Sequence, residues 1–349
     1  MPTQTVQELE QLAVAIIRAM GSDQTEAEIV GRHLAGANLA GHDSHGVLRI
    51  PQYVKAIRDG RIRLNSHVQV VRESPAGVVL DGQLAFGQVI AVEAMRLAIG
   101  KASESAVCAV SVFNSNHVGR LAAHTLLAAE SGMIGLLTVN AGGGGQLVAP
   151  FGGVAGRLAT NPISIAVPSP DGSPPLVLDI ATSVAPEGKL RAYRQRGERV
   201  PDGWFIDHAG RPSSDPKDFY GPPAGALLPL GGPVGHKGYG LALMLDILAG
   251  GLSGAGCSRP NPQSTGDGLF LMAVEVRQFS PIEEFRARVA ELVAHMKSCQ
   301  PAPGFEEVLV PGEYEFREEQ KRRRDGIVIE ETTWTEIRAI ARELGISEA

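Results

Sequence analysis

The stretch from Gly41 to Tyr53, GHDSHGVLRIPQY, places His42, Asp43, Ser44, His45 and Arg49 within eight residues. An imidazole titrates near neutrality and can accept or donate a proton. Arg49, four residues beyond His45, can grip a carboxylate through two N–H groups. Together they suit a small acid whose carboxylate stands beside a carbonyl or hydroxyl. The alternative is a polar loop whose side chains cap helix ends. Three further clusters compete. In NSNHVGRLAAH, Asn114 to His124, Asn116 and His117 sit where a strand gives way to a helix, and Gly119 leaves room for close backbone approach. A helix N-terminus there can hold an anion, or Ser115 or Asn116 can simply cap it. In LVLDIATS, Asp179 ends a strand, where its carboxylate could orient a histidine, take a ribose hydroxyl or cap a helix. In GHKGYG, Lys237 opens an apolar helix and either pairs with an anion or snorkels to solvent.

These side chains need elements to position them. Residues 5–20 carry Val6, Leu9, Leu12, Ala13, Ile16 and Ile17 at helical spacing. A second helix, capped by Ser22 or Asp23, runs to Gly41, and a third follows Pro51. From residue 76 the texture becomes α/β. AGVVLDGQ, AVCAVSVF, IGLLTV, ISIAVP and LVLDIA read as strands; AFGQVIAVEAMRLAIGKASES and GRLAAHTLLAAESG read as helices. The turn SPDGSPP, 169–175, predicts an antiparallel hairpin. Residues 196–235 are rich in Pro, Gly, Asp and Ser and predict long loops. HKGYGLALMLDILAGGLSG predicts a helix apolar on most faces and therefore buried. LFLMAVEV predicts a strand, SPIEEFRARVAELVAHMKSC a helix capped by Ser280, and Thr333 with Glu336 a capping box.

The bulk numbers narrow the function. The chain has 349 residues, 44 % hydrophobic and 20 % charged, with net charge −6 and pI about 5.9. No global basic field invites nucleic acid or an anionic membrane. The basic run Lys321 to Arg324 lies beside Glu318 and Glu319 and reads as a solvated helix face. Three cysteines at unrelated spacings argue against disulfides or a zinc site and fit a reducing cytoplasm. His42, His45, His117 and His124 lack metal-ligand spacing, so no metal is expected. No secretory leader or bilayer-spanning segment is legible. The chain has no GxGxxG fingerprint after a strand, no phosphate loop, no GxSxG elbow and no HExxH. Composition and spacing alone stop at an α/β enzyme with a carboxylate-binding histidine site.

Taken in order, GHDSHGVLRIPQYV, NSNHVGRLA, VAPFGG, ATNPISIAVP, LVLDIATS, HKGYGLALMLDILAGGLSG and LVPGEYE resemble the type-2 malate/L-lactate dehydrogenase family. VPDGWFIDHAGRP and the tail after Pro311 most resemble its hydroxycarboxylate dehydrogenase B branch. The resemblance implies an NAD- or NADP-dependent oxidoreductase acting on small 2-hydroxy or 2-oxo acids. It also implies an α/β fold whose non-Rossmann cofactor domain, 76–282, holds a largely antiparallel sheet. Residues 1–75 and 283–349 would form a mainly helical substrate and dimerisation domain, in a homodimer or larger homo-oligomer. By the same resemblance His45 would transfer the proton, supported by Ser44 and Asp179. Arg49, His117 and Thr160 would bind substrate. His45, Gly119, Arg120, Leu121, Leu178, Asp179, Ile180, Lys237, Gly312 and Glu313 would contact the cofactor. The alternatives are a cyclic-imine (piperideine or pyrroline-2-carboxylate) reductase and a non-catalytic ligand-binding protein on the same scaffold.

Overall fold

Thr5 starts the first helix, α1 (Val6–Ala19), by a reciprocal cap. Its hydroxyl accepts from the Glu8 N–H, and the Glu8 carboxylate accepts from the Thr5 N–H. The apolar stripe of α1 then buries Leu9, Ala13, Ile16 and Ile17. Asp23 caps α2 (Gln24–Leu39), and Pro51 lies in the first turn of α3 (Ile50–Arg58). Ile327, Ile329, Ile337 and Ala341 from the other end of the chain share this core. The two chain ends are thus one packed body. In the computed structural model, residues 1–170, 172–262 and 266–346 are described.

The second core is a seven-stranded sheet. Its strands are β1 (Gln69–Glu73), β2 (Gly77–Asp81), β3 (Val107–Ser115), β4 (Met133–Asn140), β5 (Ile163–Val167), β6 (Leu176–Ile180) and β7 (Asp267–Glu275). They lie in the order β1-β2-β3-β7-β4-β5-β6. Only β2 and β3 pair in parallel; every other neighbouring pair is antiparallel. The parallel pair needs a long crossover, which α4 (Gly87–Ser105) supplies while covering the sheet. Phe86 and Val89 at the start of α4 reach into the helical core and weld the two cores together. The expected hairpin of β5 and β6 is present, with Ser164 opposite Asp179; Asp171 in its turn lies outside the described residues.

Past α5 (Ala122–Glu130), α6 (Glu187–Arg196) follows the hairpin, and α7 (Pro216–Tyr220) interrupts the long loops of 196–235. Those loops also carry three two-residue strands paired as a small sheet. Four expectations need correction. The helix α8 (His236–Asp246) is not buried all round: Leu241, Met244 and the following Ile247 are 38 %, 55 % and 48 % exposed, because among the described residues no other element covers that face. Ser280 does not cap α9 (Ile282–Lys297); Pro281 occupies the cap position and the Ser280 hydroxyl accepts from Arg288. After α10 (Glu313–Asp325), α11 (Glu331–Glu343) begins two residues before Thr333, so Thr333 lies inside the helix and the capping box belongs to Thr5. Finally, Arg322 is not merely solvated: it bonds Asp43, Glu318 and the Asn38 carbonyl. Among the described residues no helix is long and apolar enough to cross a membrane.

One buried side chain fixes the loop between α2 and α3. Asn38, 3 % exposed, accepts from the Val47 N–H at 2.8 Å and donates to the Asp43 carboxylate at 2.6 Å. Gly46 lies so close that a Cβ there would stand 2.1 Å from Asn38 Oδ1. Asn38→Ala strands the buried Val47 N–H, a loss of about 1–3 kcal/mol. Urea unfolding followed by circular dichroism should show a correspondingly lower midpoint, and a wild-type midpoint would contradict this role.

Candidate active site

The loop so fixed is two tight 3-10 turns, Asp43–His45 and Val47–Arg49. They turn Ser44, His45 and Arg49 to one side, where α3 and the end of β3 meet them. Ser44 Oγ lies 2.9 Å from His45 Nδ1. The His45 ring stacks on that of His117, with centroids 5.5 Å apart and planes 15° from parallel. Two buried groups hold His117 from behind. Gln88 Nε2 donates to the Tyr53 hydroxyl at 2.6 Å, and that hydroxyl lies 2.8 Å from His117 Nδ1. Tyr53 thus stands between Gln88 and His117, and which of Tyr53 and His117 donates follows the tautomer of the ring.

Burial governs the charges. It drives His45 down to about 3, with smaller electrostatic contributions from Arg49, His42 and Arg120. It pushes His117 well below the usual imidazole value, with Arg49 and His45 adding to the effect. Both rings are neutral at pH 7. Burial also raises Tyr53 to about 12, so its hydroxyl keeps its proton. Arg49 Nε donates to the Ser44 carbonyl at 2.7 Å and Nη1 to Gln52 Oε1 at 2.7 Å. These bonds fix the plane of the guanidinium. The first turn of α6 closes over the loop: a Cβ on Gly188 would sit 3.1 Å from the Ser44 Cβ.

Residues 4–338 match the malate/L-lactate dehydrogenase family. The chain belongs to that family. It is 40 % identical over 347 residues to the malate dehydrogenase of Pyrococcus abyssi, covering 97 % of this chain and 94 % of that one. It is 38 % identical to hydroxycarboxylate dehydrogenase B of Escherichia coli, covering 98 % and 94 %. The structure of malate dehydrogenase from Pyrococcus horikoshii OT3 superposes with a TM-score of 0.90 at 35 % identity, covering all of this chain and 97 % of that one. The protein is an oxidoreductase, and dehydrogenases of this family use a nicotinamide cofactor.

With the family known, the other predicted site residues fall into place unevenly. Asp179 does not hydrogen-bond to His45; its Oδ2 accepts from the Ala122 N–H at 2.7 Å. The N-terminus of α5 is thus met by the chain's own Asp179 carboxyl group and is not capped by Ser115 or Asn116. Asn116 instead donates to the Leu84 and Ala85 carbonyls. Burial raises the Asp179 carboxyl, opposed by the Ala122 N–H and by His42 and Arg120. Gly119, Arg120 and Leu121 form the turn just before Ala122, and the buried Arg120 Nε has no hydrogen-bond partner among the described residues. Thr160 receives the Thr182 N–H and hydroxyl on its carbonyl. Leu178 and Ile180 flank Asp179 on β6 and are half-buried. Lys237 stands exposed in the first turn of α8. Gly312 packs on Val177, and Glu313 is held by Lys297 at 2.7 Å and Arg317 at 2.6 Å. Gly312 and Glu313 line an apolar groove with Leu176, Val293, Pro311 and Phe316.

The sequence reading missed Tyr53, Gln88 and Asp267. Tyr53 carried a signal, lying one helical turn after Arg49 on the same face. Gln88 and Asp267 carried none, since only the meeting of α4, β3 and β7 brings them near. Asp267 starts β7 opposite Ser115, and burial raises its carboxyl to about 7.

The neutral imidazoles couple the fold to pH. His45, His117, His33 and His124 all titrate below the ordinary 6.5, His124 at about 4. The unfolded chain takes up these protons first, so the stability they confer is complete above about 6.5 and drains away as pH falls toward 4. Calorimetric scans should show a flat melting temperature from pH 8 to 7 and a steep decline from 6.5 to 4. A constant melting temperature across that lower window would refute the burial of neutral rings.

Proposed function

We propose that the protein reversibly moves a hydride between NAD or NADP and C2 of a small 2-hydroxy or 2-oxo carboxylic acid. The observation that carries this reading is the convergence of Arg49 with the stacked pair His45 and His117 in a chain of this family. Arg49, with its plane fixed, binds the substrate carboxylate. His117, with Nδ1 engaged by Tyr53, has Nε2 left for a hydrogen bond to the same substrate. His45 with its Nδ1–H donated to Ser44 has a bare lone pair on Nε2, the state that accepts the hydroxyl proton during oxidation. In reduction the same ring returns the proton to the carbonyl oxygen. A bound substrate carboxylate favours the protonated ring by its opposite charge.

The nicotinamide cofactor supplies the hydride chemistry. The residues present fit it. Arg120, with its unpartnered Nε, and Asp179 offer a donor and an acceptor of the kind a carboxamide or ribose hydroxyl needs. The Gly119–Leu121 turn, Leu178, Ile180, Lys237, and Gly312 with Glu313 beside the apolar groove complete the set. Thr160 lies on the substrate side. The sheet region, 76–282, serves as a non-Rossmann cofactor domain, and 1–75 with 283–349 as the helical substrate and dimerisation domain. The free cysteines support a reducing cytoplasm.

His45→Ala should lower kcat about 10²-fold or more while NADH or NADPH affinity changes little. Arg49→Ala should mainly raise KM for 2-oxo acids. Steady-state kinetics over a panel of 2-oxo acids with each nucleotide tests both, and near-normal turnover in His45→Ala would sink the mechanism. The exposed apolar run Leu241, Met244, Ile247 and Leu252 supports a homodimer or larger homo-oligomer. Light scattering should give at least twice the chain mass, and Met244→Glu should lower it.

A further inference from the structure

Behind the reacting groups lies a second imidazole pair that the mechanism does not use. His33 on α2 and His124 on α5 stack with centroids 5.1 Å apart and planes 20° from parallel. Both are buried, His124 completely. His33 Nε2 accepts from the Arg120 N–H at 2.9 Å. His124 Nε2 lies 3.0 Å from the Val118 carbonyl, which can only accept, so that nitrogen carries the proton. The two rings thus hold opposite ends of one three-residue turn, Val118–Gly119–Arg120. His33 accepts from its N–H and His124 donates to its carbonyl.

Gly119 sits between them in the left-handed region, φ +77°, and a Cβ there would stand 2.0 Å from His33 Nε2. The space that its missing side chain leaves is filled by the His33 ring. Immediately after this turn, the Ala122 N–H meets Asp179. Few side chains could replace His33. The stack on His124 uses a flat ring, and the hold on the turn needs a bare acceptor at its tip. Phenylalanine would leave the buried Arg120 N–H unpaired, and a cation would oppose it with another donor. Burial, followed by the nearby His124, His117, His45 and Arg120, keeps His33 neutral and the acceptor available.

We infer that His33 is a positioning residue for the cofactor: with His124 it clamps the Val118–Arg120 turn so that Gly119 to Leu121 meet the nicotinamide nucleotide already ordered. The inference rests on the proposed cofactor role of that turn. A preformed turn saves the ordering cost of binding, so its loss should appear in nucleotide affinity before substrate affinity.

Two variants separate this role from general packing. His33→Phe keeps the stack and removes the acceptor; His33→Gln keeps an acceptor and loses the ring. Nucleotide Kd is read by fluorescence titration with NADH and NADPH, alongside KM for a 2-oxo acid. For His33→Phe the Kd of the preferred nucleotide should rise tenfold or more, while KM for the acid stays within about twofold. His33→Gln should recover most of the affinity. In the wild type, the ¹⁵N resonance of His33 Nε2 should have the shift of an unprotonated ring nitrogen. Wild-type nucleotide affinity in His33→Phe, equal rises in both constants for both variants, or a protonated Nε2 would each overturn the clamp. If His33→Phe does not fold, His33→Gln and the nitrogen resonance decide. If the wild type binds neither nucleotide, the proposed function fails and the cofactor role of the clamp with it; the resonance then decides the clamp alone.

Discussion

The amide of Asn38 holds the site together. Its oxygen takes the Val47 N–H and its nitrogen reaches Asp43, so one buried side chain fixes both ends of the turn that carries Ser44 and His45. A buried amide leaves little freedom, because an unmatched donor or acceptor there costs the full loss of its hydration. Arg322 extends the constraint. It spans from the C-terminal α10 to Asp43 and to the carbonyl of Asn38. Ion pairs this accessible contribute little energy on their own. What Arg322 adds is geometry: a loop near residue 45 is fastened by a helix nearly three hundred residues later.

Burial then sets the chemistry of that loop. Arg49, His45 and His117 lie close together and are half-buried, where charge is costly and like charges repel. The guanidinium keeps its charge because its pKa starts so high; the imidazoles give theirs up. The result is one fixed cation beside two neutral rings. That arrangement can hold an anionic carboxylate and exchange a proton with the oxygen next to it. The same physics acts one layer deeper, where His33 and His124 serve as neutral hydrogen-bonding rings.

Much of this was legible in the chain. The periodicity of α1 and α2, the Pro51 start of α3 and the β5–β6 hairpin follow from local spacing and turn chemistry. The cluster Ser44, His45 and Arg49 was visible because its members lie within one short loop. The reading failed where a neighbour distant in sequence decides. For Asp179 the chain left a histidine, a ribose hydroxyl or a helix cap open, and only the fold brings it to the start of α5. Arg322 leaves solvent for Asp43. One face of α8 stays bare, although its residues are as apolar as those of a buried helix.

The sequence by itself determined which residue types stand at the site and the family to which their order belongs. Those are properties of spacing along one chain. Tertiary structure alone decided the protonation and partners of those residues. The placement of the His117 ring depends on Tyr53 and Gln88, from α3 and α4; the neutrality of His45 depends on what surrounds it; the turn at Gly119 depends on a ring from α2. Hydrogen bonds and desolvation act through space over a few ångströms, and no local pattern records which distant segment will lie there.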